Sequence, residues 1–341
     1  MPRNIKTAIF AISYIIISVI ILLINYHHLN RKENLMKQAQ GDEKSNQKTG
    51  LGNKVTENIR LLPVASVETQ PITTDNNSVL MSRDEKGWRR LNCGPSKLFR
   101  PISLSTDIGN LTFYGFLSAE YDRTVPERAL KGRMFEKKEI ESFLTLSRDL
   151  PLIDVGANVG LVALQAALQK RTVVAIEPIA ANALRLCRSV LDFGHAGLVH
   201  VIQNAVSSRE GHVTLATQAA NTSTLFTVNE AGRQFTHDLT LAYAIKLDRI
   251  LEMLPFRRAA LKIDVESHEG HVLEGSRDLW KTLDVPLVWM EWQHVKGRAT
   301  FGGQFVVDFM TARNFRPHHV ISGKLLEGDF MSWPFTVLWR R

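Results

Sequence analysis

Between residues 152 and 291 the chain repeats one kind of unit: a short apolar run that stops at glycines or acids, followed by a stretch rich in helix formers. Residues 152–155 stop at Gly156 and lead into the helical stretch 161–168; residues 172–176 stop at Glu177 and Pro178 and lead into 180–191. Residues 198–202, 212–216, 261–265 and 285–291 continue the series as further strand segments. Short apolar runs with turn residues at their ends read as buried strands rather than helices. Strands alternating with helices require right-handed crossovers and a mainly parallel sheet. The expected fold class is α/β: a Rossmann-like sheet with helices on both faces. Upstream, residues 101–105 and 111–117 read as two strands about a turn at 107–110. Residues 126–148 read as a helix with Phe135, Ile140, Phe143 and Leu144 inward.

In such sheets the ligand sits beyond the carboxyl ends of the strands. The first strand ends in Asp154-Val155-Gly156-Ala157-Asn158-Val159-Gly160. Glycines there let the backbone turn sharply and approach a ligand closely, and a helix N-terminus aims free N–H groups at the site. The dinucleotide fingerprint Gly-x-Gly-x-x-Gly is not met, because Asn158 stands where the middle glycine would admit a pyrophosphate. A nicotinamide-dependent oxidoreductase is therefore disfavoured. Asp154 points the same way, since a strand-end carboxylate repels phosphate but can hold an ammonium group. Glu177, at the end of the second strand, can accept hydrogen bonds from two ribose hydroxyls. A ligand with a nucleoside, an amino group and no diphosphate fits, and S-adenosylmethionine has those parts.

A second cluster, Asp264, Glu266, His268 and Glu269, follows the apolar run at 261–265. If a hydroxyl is to be alkylated there, its proton must be removed as the new bond forms. Asp264 or Glu266 is expected to face the cofactor and His268 or Glu269 the acceptor; the imidazole has a fitting ordinary pKa of about 6.5. Glu266 and Glu269 could instead cap the following helix, and Lys262 could pair with one of the acids. Asp264, Glu266, His268 and Glu291 could also hold a hard cation, but Asp-x-Glu-x-His is not a distinctive metal spacing and no metal site is expected. Cys187 falls on the apolar face of a helix and reads as a core residue. Trp289, Trp292, Trp333 and Trp339 read as core before sugar-stacking platforms.

The ordered set Asp154–Gly160, Ile176-Glu177-Pro178, Asn204-Ala205-Val206, Leu247-Asp248, Leu261-Lys262-Ile263-Asp264-Val265-Glu266 and His268-Glu269 resembles the FkbM-type methyltransferases over roughly residues 110–320. The resemblance implies a class I, S-adenosylmethionine-dependent enzyme, often an O-methyltransferase acting on hydroxyls of sugars or natural products. It also implies that Asp154, Gly156, Asn158 and Gly160 contact the methionine end of the cofactor. Glu177 would hold the ribose, and Asn204 and Ala205 would lie beside the adenine. One departure stands out: Ser267 occupies a position where the family carries glycine. If that glycine needs a positive φ, serine adds strain of about 1 kcal/mol. A catalytically inactive, tethered binding module is the alternative that this serine favours.

Residues 8–24 carry no charged side chain. At 1.5 Å per residue they span about 25 Å as a helix, close to the thickness of a thin bilayer. The run ends in Asn25-Tyr26-His27-His28 rather than in small residues, so a membrane anchor within 8–26 is expected over a cleaved signal peptide. Arg3 and Lys6 before it nearly balance Arg31, Lys32 and Lys37 after it. The orientation taken is a cytoplasmic N-terminus with the bulk of the chain in the lumen of the secretory pathway. The expected organisation is a tail and anchor over 1–28, a polar stem over 29–97 and a catalytic domain over 98–341. The formal charge of +8 is concentrated in residues 1–60, which hold 9 Lys and Arg against 4 Asp and Glu. The rest is nearly balanced and has no electrostatic reason to track nucleic acid. The expected acceptor is a hydroxyl of a glycan or small molecule. Two cysteines make neither a disulfide framework nor a zinc cluster.

Overall fold

The computed structural model describes residues 79–116, 134, 136–218, 221–227, 239–298 and 300–341. All of them fall in one compact unit, Ala65–Arg341. The anchor expected within 8–26 lies outside the described residues, among which no helix is long and apolar enough to cross a membrane.

In chain order the elements are β1 (Leu80–Asp84), β2 (Gly87–Arg90), β3 (Phe99–Ser105), β4 (Asn110–Phe116), α1 (Lys137–Leu146), β5 (Leu152–Val155), α2 (Leu161–Leu168), β6 (Val173–Ile176), α3 (Ala180–Asp192) and β7 (Val199–Ile202). Then come β8 (Ala205–Val206), β9 (Gly211–Gln218), β10 (Asn221–Thr227), β11 (Leu239–Ile245), β12 (Arg258–Ile263), α4 (Glu269–Glu274), α5 (Leu279–Thr282), β13 (Asp284–Glu291), α6 (Gly303–Thr311), β14 (Arg316–His318) and β15 (Thr336–Arg340). The main sheet has the order β14-β15-β13-β12-β5-β6-β7-β1-β2. Its centre is parallel, from β13 through β12, β5, β6 and β7 to β1. Its edges are antiparallel, where β15 joins β13, β14 joins β15 and β2 joins β1. The chain runs outward from β5 through β6 to β7, then returns to place β12 on the other side of β5. That reversal is the switch point where a crevice opens.

Side chains alternate across the sheet, as the pleat requires. Leu152, Val173, Ala175, Val199 and Val201 join α2, α3 and the β3–β4 hairpin in one apolar layer. Ile153, Val155, Val174, Ile176 and Ile202 join α4, α5 and α6 in the other. Both faces are covered, which is why these runs are apolar at nearly every position, Asp154 on β5 and His200 on β7 being the exceptions. A second sheet, β10-β9-β11-β8, rises from the chain just after β7.

Two features differ from expectation. Residues 80–97, expected within the polar stem, belong to the folded unit: β1 pairs in parallel with β7 through Leu80↔Val201 and Met81↔Ile202. The folded unit therefore includes residues well upstream of Leu98. The pairing joins segments some 120 positions apart, and the charged, alternating look of 80–90 reflects a sheet edge rather than a linker. Cys187, fully buried on α3, is not only a core side chain but is disulfide-bonded to Cys93, with Cα atoms 5.6 Å apart. Of the helix expected over 126–148, the described part is α1, which starts after Glu136.

Candidate active site

The loop after β5 is shaped by its neighbours. Gly156 has φ +83°, and the Asp264 carbonyl oxygen occupies the place where a Cβ would project. The N–H groups of Gly156 and Ala157 both donate to the Ile176 carbonyl at 2.9 Å. Asn158 is left-handed at φ +52°, a conformation that asparagine tolerates better than most residues, and its Oδ1 accepts from Val159 N at 2.8 Å. Gly160, at φ +91°, starts α2, and a Cβ there would strike Leu186.

Glu177 ties this bend to the next strand. Its Oε2 accepts from Asn158 N at 2.9 Å; its Oε1 accepts from Ile179 N at 3.0 Å and Asn182 Nδ2 at 3.2 Å. Burial outweighs these hydrogen bonds and pushes the carboxyl up to about 7. Gly156, Asn158, Glu177, Asn204 and Ala205 all line one cleft with an empty volume of about 1130 Å³, its open mouth included. The Asn204 side chain is itself committed to scaffolding. Its Oδ1 accepts from Arg83 N at 2.8 Å, and its Nδ2 donates to the Arg83 and Tyr243 carbonyls at 2.8 and 2.9 Å.

Asp154 is placed otherwise than expected. It is fully buried, is absent from the cleft lining, and lies 3.1 Å from Lys262 Nζ. The cause is register: Asp154 on β5 sits directly opposite Lys262 on β12, so both side chains leave the sheet on the same side. Lys262 Nζ also reaches Asp264 at 3.4 Å and donates to the Gly156 carbonyl at 3.0 Å. Burial opposes its charge, but Asp154 and Asp264 together outweigh burial and raise its pKa. The ammonium group thus pins the strand ends together from below the cleft. Gly160 likewise shapes the loop without lining the cleft.

Of the second cluster, Asp264, Glu266 and His268 line the cleft and Glu269 does not. Glu269 is fully buried, and its Oε1 accepts from Val265 N at 3.0 Å. It holds the 264–268 loop, so the acceptor-facing role expected for it is corrected. His268 is corrected as a base. Burial, aided by His271 and Arg298, lowers its pKa to about 3. Its Nε2 lies 2.9 Å from Ser207 Oγ and its ring stacks on His271. It is a neutral wall of the cleft. Burial, with Asp264 next in weight, pushes Glu266 up to about 8, and the same two causes push Glu136 up to about 8.

Ser267 does adopt the left-handed conformation, at φ +78°, directly after Glu266 at φ +54°. Relief of that strain exceeds the extra chain entropy of glycine by a modest margin. Ser267→Gly is therefore expected to stabilise the domain by about 0.5–1 kcal/mol, roughly 1–4 °C in melting temperature. An unchanged or lowered melting temperature would show that the serine is not strained.

The profile of the methyltransferase FkbM domain matches residues 154–317, beginning at the strand-end aspartate and ending in β14. Over residues 154–317 the chain is thus similar to the methyltransferase FkbM domain. No curated protein matches the chain by sequence. Solved structures similar to it include the precorrin-6y C5,15-methyltransferase of Geobacter metallireducens, at 10% identity and TM-score 0.34 over 60% of this chain and 87% of that one. Another is the geranyl diphosphate C-methyltransferase of Streptomyces coelicolor in complex with Mg²⁺, geranyl-S-thiolodiphosphate and S-adenosyl-L-homocysteine. It matches at 11% identity and TM-score 0.34 over 66% of this chain and 80% of that one. These are distant likenesses.

Three parts of the site were not read from the sequence. Glu136 lines the cleft, yet sequence alone placed it inside a helix, and only its left-handed φ of +48° turns it out of α1. Ser207, beside His268, sits in a connection with no motif of its own. His294 lies 2.9 Å from Glu291 Oε1, where the only signal was the three-residue spacing after an acidic strand end.

Proposed function

We propose that the FkbM domain is an S-adenosylmethionine-dependent methyltransferase acting on a hydroxyl of a glycan, glycolipid or other small molecule. The observation that carries this is the hydrogen bond from Asn158 N to Glu177 Oε2, which places the glycine bend and the ribose-type carboxylate on one wall of one cleft. The cleft fits the cofactor in three further respects. Gly156 admits the Asp264 carbonyl where a Cβ would collide, and so brings the ends of β5 and β12 together at the cleft. Ile176, Val206, Val213, Leu215 and Ala244 give apolar walls for a flat base. Trp289, whose buried Nε1 has no hydrogen-bond partner, closes part of the lining.

The cofactor supplies an electrophilic methyl group on a sulfonium. Glu177 takes the ribose hydroxyls. Asp264, whose side chain is one-third exposed, replaces Asp154 as the carboxylate open to an ammonium group. Glu136, Asp264 and Glu266 line the far end with carboxyl groups, which suit a cationic donor better than a phosphorylated or nucleic-acid acceptor. Glu136, with a pKa raised by burial to about 8, is suited to take a hydroxyl proton near neutral pH. Ser267 keeps a left-handed φ, so the loop retains the shape that glycine would give it. This weighs for an enzyme over an inactive binding module.

The test uses the full chain in detergent with isotopically labelled S-adenosylmethionine and a cell extract. A labelled product heavier by one CH₂ is expected. Calorimetry that detects no binding of S-adenosylmethionine would overturn the reading. The same proposal places the domain in the secretory lumen, tethered through residues 8–26. The Cys93–Cys187 disulfide supports it, because such bonds persist in oxidising compartments. Digestion of the domain by protease added outside sealed vesicles would overturn the luminal placement.

A further inference from the structure

We propose that Glu266, Glu291 and His294 form a divalent-cation site at the carboxyl ends of β12 and β13, adjoining the cleft. The ligand atoms of the three residues all lie within 4.8 Å of one another. His294 Nδ1 is 2.9 Å from Glu291 Oε1 and 3.6 Å from Glu266 Oε2. Adjacent ligands on an octahedral ion with bonds of 2.1–2.3 Å stand about 3.0–3.3 Å apart. The two distances bracket that edge, so a small rotamer adjustment seats an ion on the face of the triad.

The set is more than a group of surface acids. The Glu291 side chain is 7% exposed, and its Oε2 has no hydrogen-bond partner. Glu266 Oε2, at the same place, also accepts no hydrogen bond. A buried carboxylate oxygen without a donor is costly unless a cation meets it. The nearby lysine does not serve, because Lys262 is committed to Asp154, Asp264 and the Gly156 carbonyl. His294 closes the triad from the solvent side, 41% exposed, with its ring edge-on to Phe335 at 5.6 Å. An ion can enter there and keep open positions for water or oxygen ligands. Two carboxylates and one imidazole suit a first-row ion such as Mn²⁺ better than Ca²⁺, which prefers oxygen alone.

Glu266 belongs to both the triad and the cleft lining. A cation held there adjoins the place where the acceptor enters. If the methyl-transfer reading under Proposed function holds, its open positions suit the hydroxyl oxygens of the acceptor. The binding site itself does not depend on that reading.

The experiment is Mn²⁺ titration of the tag-free full chain in chelator-stripped detergent, followed by electron paramagnetic resonance. Calorimetry with S-adenosylmethionine is run on the same preparation. Wild-type protein is expected to remove about one equivalent of the free Mn²⁺ signal. His294→Ala, at an exposed position with little effect on folding, is expected to weaken binding at least about 10-fold, and Glu291→Gln to abolish it. Retained S-adenosylmethionine binding by His294→Ala reports that the fold is intact. An undiminished Mn²⁺ signal with wild type, or equal affinity in His294→Ala, overturns the cation site. Cofactor binding without Mn²⁺ binding overturns this site alone. Triad-dependent Mn²⁺ binding without cofactor binding supports the site and overturns the function.

Discussion

Replacing Glu177 by Ala is expected to abolish measurable binding of S-adenosylmethionine, a loss of at least about 100-fold. Two hydrogen bonds from ribose hydroxyls to a carboxylate are worth about 1.5–3 kcal/mol each. The loss is not confined to the ligand. Asn158 N, Ile179 N and Asn182 Nδ2 all donate to this carboxylate, so alanine also releases the bend that follows β5. Gln is no rescue, because its amide NH₂ must face one of these donors whichever way it turns. The pH dependence is a sharper test. The folded-state pKa of about 7 lies above the ordinary value of 4.5. The folded protein therefore holds this proton more tightly than the unfolded chain. The group's stabilising contribution is complete below about pH 4.5 and is lost as pH rises through 7. Ribose hydroxyls donate to the ionised form, so cofactor affinity must rise with pH, by about 10-fold from pH 6 to 8, and level off above. Calorimetric affinities that stay flat over that range, or that fall with it, would remove Glu177 from the ribose site.

The strands that carry the site were legible because burial on both faces leaves almost no polar positions in them. β5 and β6 are buried at every residue, and each stops where a glycine or an acid begins. Their ends therefore announced Gly156, Asn158 and Glu177 directly. What the sequence could not supply was register. Asp154 and Lys262 are 108 positions apart, and nothing local says that they stand opposite each other on β5 and β12. An unpaired strand-end aspartate looks like a ligand contact; a paired one is scaffold. The same lack of register hid β1, whose partner β7 lies more than 100 residues downstream. Glu269 and His268 failed for a different reason. Their residue types suit proton transfer, but burial and hydrogen bonding decide what a side chain does, and both depend on packing that follows the helix start at α4 rather than on sequence spacing.

Removing the disulfide is expected to cost the domain about 3–5 kcal/mol. Cys93 and Cys187 are 94 positions apart, and closing a loop of that length in the unfolded chain is worth up to about 4.7 kcal/mol by the loop-entropy account. Cysteines replaced by alanine, or a chain reduced before heating, should therefore melt roughly 10 °C lower. The bond does more than shorten the unfolded ensemble. Cys187 lies on α3, the helix whose first turn brings Asn182 to Glu177. Cys93 follows β2, and β1 beside it clamps Asn204 through the Arg83 backbone. The link thus joins the two segments that flank the proposed cofactor-binding wall, and reduction should weaken cofactor affinity as well as lower the melting temperature. The check is alkylation of denatured, unreduced protein taken from its native cells, with mass spectrometry of the two cysteine peptides. No alkylation before reduction and two alkylated thiols after it are expected. Two free thiols before reduction, or a melting temperature indifferent to reductant, would remove both the clamp and its support for an oxidising compartment.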